Sequence, residues 1–372
     1  MNDSGGAALP PSTAQHKRLG QLDDLRAIAI TLVVVMHGYA AFFSRPSEML
    51  NPLLIFIYAG GTGVTLFFIL SGYLVSMPFI LAGREGRSYS TLEHFKQRAL
   101  RILPTYYFYV FISCLVVGSF EKFIPALLFL VSGNELSIYS NVWWSLATEV
   151  QFYLLVPLLF ALKKRVLLVC GVVWALLYFY CAHFLIPGNI RDYAWITTSL
   201  LFKAPAFFVG AVIALIVVSG RLRVTSGMAR LGLFVVFFAL LTLLLQDKAV
   251  NDRPGYAAVR PFDIIPEALL WGCVFFLFLQ NSSTVFGVCG HFLAKISFSL
   301  YLVHYPIVFI GVVVAKSHGA VGSWERYAAF VATLLLSIIL AWVSFKLVEE
   351  PFLRLKNRAR APRDGLVRRV LP

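Results

Sequence analysis

Two side chains that a lipid bilayer does not favour stand in one apolar stretch, LDDLRAIAITLVVVMHGY over residues 22–39: Arg26 near its start and His37 near its end. At about 100° and 1.5 Å per residue they return to nearly one helical face and lie roughly 16 Å apart along it. An arginine snorkelling to the interface and a histidine satisfied by a neighbouring helix would account for both without any chemistry. Further along, NVWWSLATEVQFYLL places Ser145 and Glu149 four apart on one face, with Tyr153 a turn beyond and Trp144 beside Ser145. Glu149 lies in apolar sequence and asks for a cationic partner, which Arg26, His37 or Lys203 can supply. In KISFSLYLVHYPIV, Ser297, Tyr301 and His304 are spaced four and three and share a face, a stripe that interhelical hydrogen bonding alone can explain. Intramembrane His, Glu and Lys are groups for moving a proton, in catalysis or along a transport path.

A second constellation is basic. In HFKQRALRILPTYY, Lys96, Arg98 and Arg101 cluster where a helix enters the membrane, with Tyr106 and Tyr107 just beyond. Each alone follows from the excess of basic residues on the cytoplasmic side; as a group they can hold a phosphorylated ligand. Lys203 in LLFKAPAFFVG is either a site residue or a snorkelling one. Asp263 and Glu267 form a further acidic pair four apart, placed near an outer helix end. The small residues of GGTGVTLFFILSGYLVS, Ser71 among them, suit close helix packing.

The elements that carry these groups are membrane helices. Of 372 residues 59% are hydrophobic and only 13% charged, against roughly 45–50% and 25% in soluble domains. The predicted class is an all-α integral membrane protein of about ten transmembrane helices. The apolar segments run near 25–44, 53–81, 102–119, 141–162, 166–185, 195–219, 231–246, 263–280, 296–315 and 327–348, the seventh being short. Phe123 to Val131 is apolar but too short to span and reads as re-entrant or interfacial. With both termini in the cytoplasm, most of the 32 Lys and Arg fall on that side.

Residues 1–20 read as a disordered cytoplasmic tail and not a signal peptide, residues 21–352 as one membrane domain, and residues 353–372 as a basic cytoplasmic tail. That tail and the net charge of +14 point to anionic lipid, not nucleic acid. The five cysteines show no metal-ligand spacing and read as free thiols, with no metal expected. No internal repeat and no pair of broken helices is visible, which counts against a secondary transporter.

Taken together, these motifs resemble acyltransferase family 3, membrane proteins that O-acylate surface polysaccharides, antibiotics and other hydroxylated substrates. The resemblance rests on Arg26 and His37 as R-x10-H, FFILSGYL at 67–74, Arg98 and Arg101 as R-x-x-R, WSLATEVQFY at 144–153, ISFSLYLVHYP at 296–306 and EEPF at 349–352. In this order they cover most of the chain from about residue 20 to 352. Lys203 stands where relatives often carry Arg. The resemblance implies a cytosolic acyl-CoA donor, acetyl-CoA in the first place, and a bacterial cytoplasmic membrane. It also implies functional roles for the Arg/His pair, the R-x-x-R pair and Glu149. Many relatives carry an added extracytoplasmic hydrolase-like domain, so this chain is expected to act alone or with a separate partner.

The physical case runs beside it. Acyl transfer needs a base for the attacking hydroxyl, and a histidine titrating near neutrality suits that; His37 is the candidate, with Glu149 orienting it or stabilising its charged form. Transient acylation of His37 is the alternative route. Arg26, Arg98, Arg101 and Lys96 would hold the donor, and Ser71, Trp144, Ser145, Tyr153, Lys203, Tyr301 and His304 would support substrate and chemistry. The expected acceptor is a hydroxyl of a cell-surface or exported carbohydrate, free or lipid-linked. A macrolide-type acceptor, a transporter and a packing-only scaffold are the other readings.

Overall fold

The computed structural model describes residues 13–43, 51–130, 139–186, 194–251, 263–280, 284–319 and 322–360, and among them every regular element is a helix. In order these are α1 (Thr13–Phe42), α2 (Pro52–Tyr58), α3 (Thr62–Arg84), α4 (Thr91–Val117), α5 (Phe123–Leu127), α6 (Trp144–Ala161) and α7 (Lys164–Tyr180). There follow α8 (Ala194–Thr197), α9 (Leu200–Ser219), α10 (Gly227–Asn251), α11 (Ile264–Leu279), α12 (Gly287–Ser317), α13 (Ser323–Ser344) and α14 (Glu350–Arg360). Two π-helical turns, Cys181–Leu185 and Phe345–Glu349, extend α7 and join α13 to α14. Among the described residues nine helices are long and apolar enough to cross a membrane, and α11, at 16 residues, is a shorter apolar one. The chain is an all-α multi-pass membrane protein.

Several boundaries differ from the sequence reading. Helix α1 begins at Thr13, inside the stretch read as a disordered tail; residues 1–12 and 361–372 lie outside the described residues. The seventh segment is not short: α10 runs 25 residues, and the short helix is the next one, α11. The second and sixth segments are interrupted, after Tyr58 and after Thr197, so the absence of broken helices read from the sequence does not hold. The apolar stretch at 123 forms the single turn α5, and Tyr106 and Tyr107 hold it by donating to the carbonyls of Ala126 and Leu127, each at 3.0 Å. Those two hydroxyls are thus engaged in the fold and not offered to a ligand. The cysteines are free, Cys114 and Cys181 buried but Cys170 and Cys289 exposed.

Helix α3 is the centre of the bundle, buried from Thr62 to Ile80, and it packs on α1, α9 and α11. Contact with α9 is close because both helices place glycine at the crossing. A Cβ on Gly72 would strike the Phe207 carbonyl, and one on Gly210 the Ile69 carbonyl. Outer helices invert this pattern: α7 buries only Tyr178 in its helical run while Leu168, Val172 and Leu176 are exposed, as a lipid-facing helix requires.

Prolines inside helices leave a carbonyl without its N–H four residues on, and three of these carbonyls are taken by ring N–H groups from other elements. Pro306 frees the Leu302 carbonyl, which accepts from Trp143 Nε1 at 3.3 Å. Pro205 frees that of Leu201, which accepts from Trp174 Nε1 at 2.9 Å. Pro157 frees that of Tyr153, which accepts from His94 Nε2 at 3.0 Å. Each bond ties a site-bearing helix to a neighbour.

Candidate active site

One cavity gathers most of the residues singled out by the sequence. Its lining includes Arg26 from α1, Ser71 from α3, Arg98 and Arg101 from α4, Ser145, Glu149 and Tyr153 from α6, and Ser297 and Tyr301 from α12. Among the described residues the lining thus has three guanidinium groups and one carboxylate, an imbalance that suits an anionic ligand.

Arg26 is held from below. Its Nη1 lies 3.3 Å from Asp23 Oδ1, while Asp23 Oδ2 is 2.8 Å from His291 Nδ1 on α12. Asp24, buried next door, accepts from the backbone N–H of Val285 at 2.6 Å and Phe286 at 3.3 Å, pinning the start of α12 to α1. Arg98 stacks its guanidinium 5.4 Å from the centroid of the Tyr153 ring, and its Nε is buried with no hydrogen-bond partner among the described residues. A buried donor of this kind, beside two further arginines, is a group that calls for an acceptor. Lys96, expected with this group, is exposed and does not line the cavity, because two residues of helix turn it away from Arg98.

Among the described residues, Glu149 is held by hydroxyls and not by a cation. Its Oε1 accepts from Ser71 Oγ at 2.6 Å and from the Tyr153 hydroxyl, and Ser71 Oγ and Tyr153 OH are themselves 3.1 Å apart. Deeper in, Tyr301 donates to the Val142 carbonyl and its oxygen accepts from Ser145 Oγ at 2.7 Å. Ser297, on the same stripe, bonds back to the Ala294 carbonyl at 2.8 Å.

His37 and His304 meet each other instead of Glu149. His304 Nε2 lies 3.4 Å from His37 Nδ1, and the ring centroids are 5.2 Å apart. His304 is fully buried and its ring is 5.8 Å from that of Tyr301, so the dyad adjoins the inner end of the cavity through Tyr301. His37 itself is not among the cavity's lining residues. The partnership of Glu149 with His37 weighed from the sequence is therefore not present in this geometry.

Lys203 is not a snorkelling residue: only 5% of it is exposed, and its Nζ lies 5.4 Å from the Trp144 ring centroid. Glu267 is a second buried carboxylate, accepting from Thr62 Oγ1 at 2.8 Å and Thr65 Oγ1 at 2.6 Å, and it fastens α11 to α3 outside the cavity. Sequence reasoning missed Asp23 and Asp24, although their place three and two residues before Arg26 was a usable signal. Glu349, quoted from the sequence only as part of EEPF and given no role there, is buried on the π-turn and accepts from Ser299 Oγ at 2.7 Å.

The model of acyltransferase family 3, described as "Acyltransferase domain", matches residues 19–343. Among curated proteins the chain is similar to the O-acetyltransferase OatA of Staphylococcus aureus, 25% identical over 89% of this chain and 56% of that protein. It is similar to the putative peptidoglycan O-acetyltransferase YrhL of Bacillus subtilis, 25% identical over 91% of this chain and 55% of that protein. It is also similar to the acyltransferase MdmB of Streptomyces mycarofaciens, 25% identical over 95% of each. The chain therefore spans little more than half the length of the first two and nearly all of the third. No solved structure matches it.

Proposed function

The chain belongs to acyltransferase family 3, and from that premise we propose that it is a membrane O-acetyltransferase, moving an acetyl group from acetyl-CoA to a carbohydrate hydroxyl. The observation that carries this reading is the convergence of Arg26, Arg98 and Arg101 on one cavity whose inner end, at Tyr301, adjoins the His37–His304 pair. A donor that is highly anionic at one end and carries its reactive thioester at the end of a long arm fits such a shape. The fit is supported by the buried Nε of Arg98, which has no partner among the described residues.

In this reading the arginines bind the phosphates of the donor, and Ser71, Glu149 and Tyr153 line the path of its arm. Glu149 uses Oε1 for both hydroxyls, which leaves Oε2 to accept from an amide or a hydroxyl of a substrate. His37 takes the proton of the acceptor hydroxyl as general base. The acceptor oxygen then bonds to the acyl carbon, the C–S bond breaks, and the departing thiolate recovers the proton from His37. A carbohydrate acceptor is favoured because relatives of similar sequence are O-acetyltransferases, one of them named for peptidoglycan.

Basic residues tie helix ends in pairs: Arg84 reaches the Val218 carbonyl at the end of α9, and Arg230 reaches the Gln280 carbonyl just past the end of α11. This supports a cytoplasmic position for both termini in a bacterial inner membrane, with the donor entering at the arginines. A secondary transporter with intramembrane ionisable groups makes a different prediction for the purified full chain. As an acetyltransferase it binds radiolabelled acetyl-CoA, and Arg98→Ala with Arg101→Ala weakens binding by about 100-fold or more, at roughly 1.5–3 kcal/mol per charge-assisted bond. Absence of binding, or binding indifferent to both arginines, contradicts the donor site.

A further inference from the structure

We infer that His304 is a positioning residue that fixes the tautomer of His37, placing the proton on Nδ1 and leaving Nε2 bare. The inference rests on the reading of His37 as base, but its evidence is geometric and independent of the substrate. His304 Nδ1 lies 3.0 Å from the Leu300 carbonyl and 2.9 Å from the Tyr301 carbonyl. Carbonyl oxygens only accept, so the proton of a neutral His304 must sit on Nδ1. Its Nε2 then presents a lone pair, and that lone pair is what faces His37 Nδ1 at 3.4 Å.

The same argument applies once more. His37 Nδ1 lies 2.8 Å from the Val33 carbonyl as well, so both groups around it are acceptors and it must carry the hydrogen. The Val33 carbonyl meets Nδ1 with its second lone pair, the first being taken by the backbone N–H of residue 37, just as the Leu300 and Tyr301 carbonyls do for His304. His304 supplies the second, uncommitted acceptor. The remaining nitrogen, His37 Nε2, is therefore the one free to take a proton from a hydroxyl. When it does, the Nδ1–H bond to His304 becomes charge-assisted and strengthens. An imidazole thus stands where a carboxylate stands in hydrolase triads: it orients the base without taking its proton. Burial suits this role, since His304 is wholly enclosed and anchored through its other nitrogen to its own helix.

The test is nitrogen NMR of the full chain in lipid nanodiscs, with histidine labelled with 15N at both ring positions and the His37 signals identified by their loss in His37→Gln. The wild-type protein is expected to show His37 protonated at Nδ1 and bare at Nε2. In His304→Leu the bare-Nε2 form falls from the large majority to a minority. In His304→Gln, whose amide oxygen falls near the lost Nε2, it is retained. A wild-type His37 protonated at Nε2, or a tautomer that His304→Leu leaves unchanged, overturns the inference. The spectra need no turnover, so the catalytic reading of His37 fails or stands on its own: an active His37→Ala would remove that reading and leave the tautomer assignment intact.

Discussion

One oxygen of Glu149 takes hydrogen bonds from two hydroxyls, Ser71 and Tyr153, and neither donor needs the carboxylate to be charged in order to stay in place. Glu149→Gln therefore keeps the shape of the cluster while removing its negative charge beside three arginines. The expected outcome is a folded, membrane-inserted protein whose acetyl transfer falls on the order of 100-fold, the scale of a lost acid–base or orienting group. Transfer at the wild-type rate would reduce Glu149 to a packing residue. At this scale the sequence exposed residue types and faces well: Arg26, Ser71, Arg98, Arg101, Ser145, Glu149, Tyr153 and Tyr301 do line one cavity. It could not show pairings. His37 and His304 are separated by 267 positions, and periodicity places each on a face without saying which faces meet. Lys96 falls outside the cavity lining for the complementary reason, because neighbours in sequence are not neighbours on a helix surface.

At the scale of elements, the interior prolines are a structural device. Pro306 exists in the sequence as a missing donor, readable at once; that Trp143 fills the gap at the Leu302 carbonyl, 159 positions away, is not readable. Trp143→Phe leaves that carbonyl buried and unpaired, at a cost of about 1–3 kcal/mol. Thermal unfolding in detergent is expected to show a lowered midpoint for this variant, whereas Trp324→Phe, at an exposed tryptophan, leaves it unchanged. Equal midpoints would mean that the indole bond does not hold α6 to α12. Helix ends were the least legible feature. The breaks after Tyr58 and Thr197 fall at short Ala-Gly-Gly and Thr-Thr-Ser stretches inside long apolar segments, which a hydropathy average over the whole segment smooths away. The length of α10 was hidden by the polar residues at its ends.

At the scale of the whole molecule, apolar composition sets the class, and the distribution of basic residues sets which helix ends belong together. The cavity and the histidine dyad that adjoins it through Tyr301 are joined by α1 and α12, which carry residues of both. Arg26 and His37 share α1, which fixes their separation, and Asp24 locks α1 in register with α12, the helix that carries His304. The proposed function has this arrangement transfer an acetyl group with His37 as base. Its most direct test is the O-acetyl content of cell-surface carbohydrate, by mass spectrometry, in cells producing the intact chain or His37→Ala at equal membrane levels. Acetylation is expected with the intact chain and its loss in the variant; wild-type acetylation with His37→Ala would rule out His37 as the base.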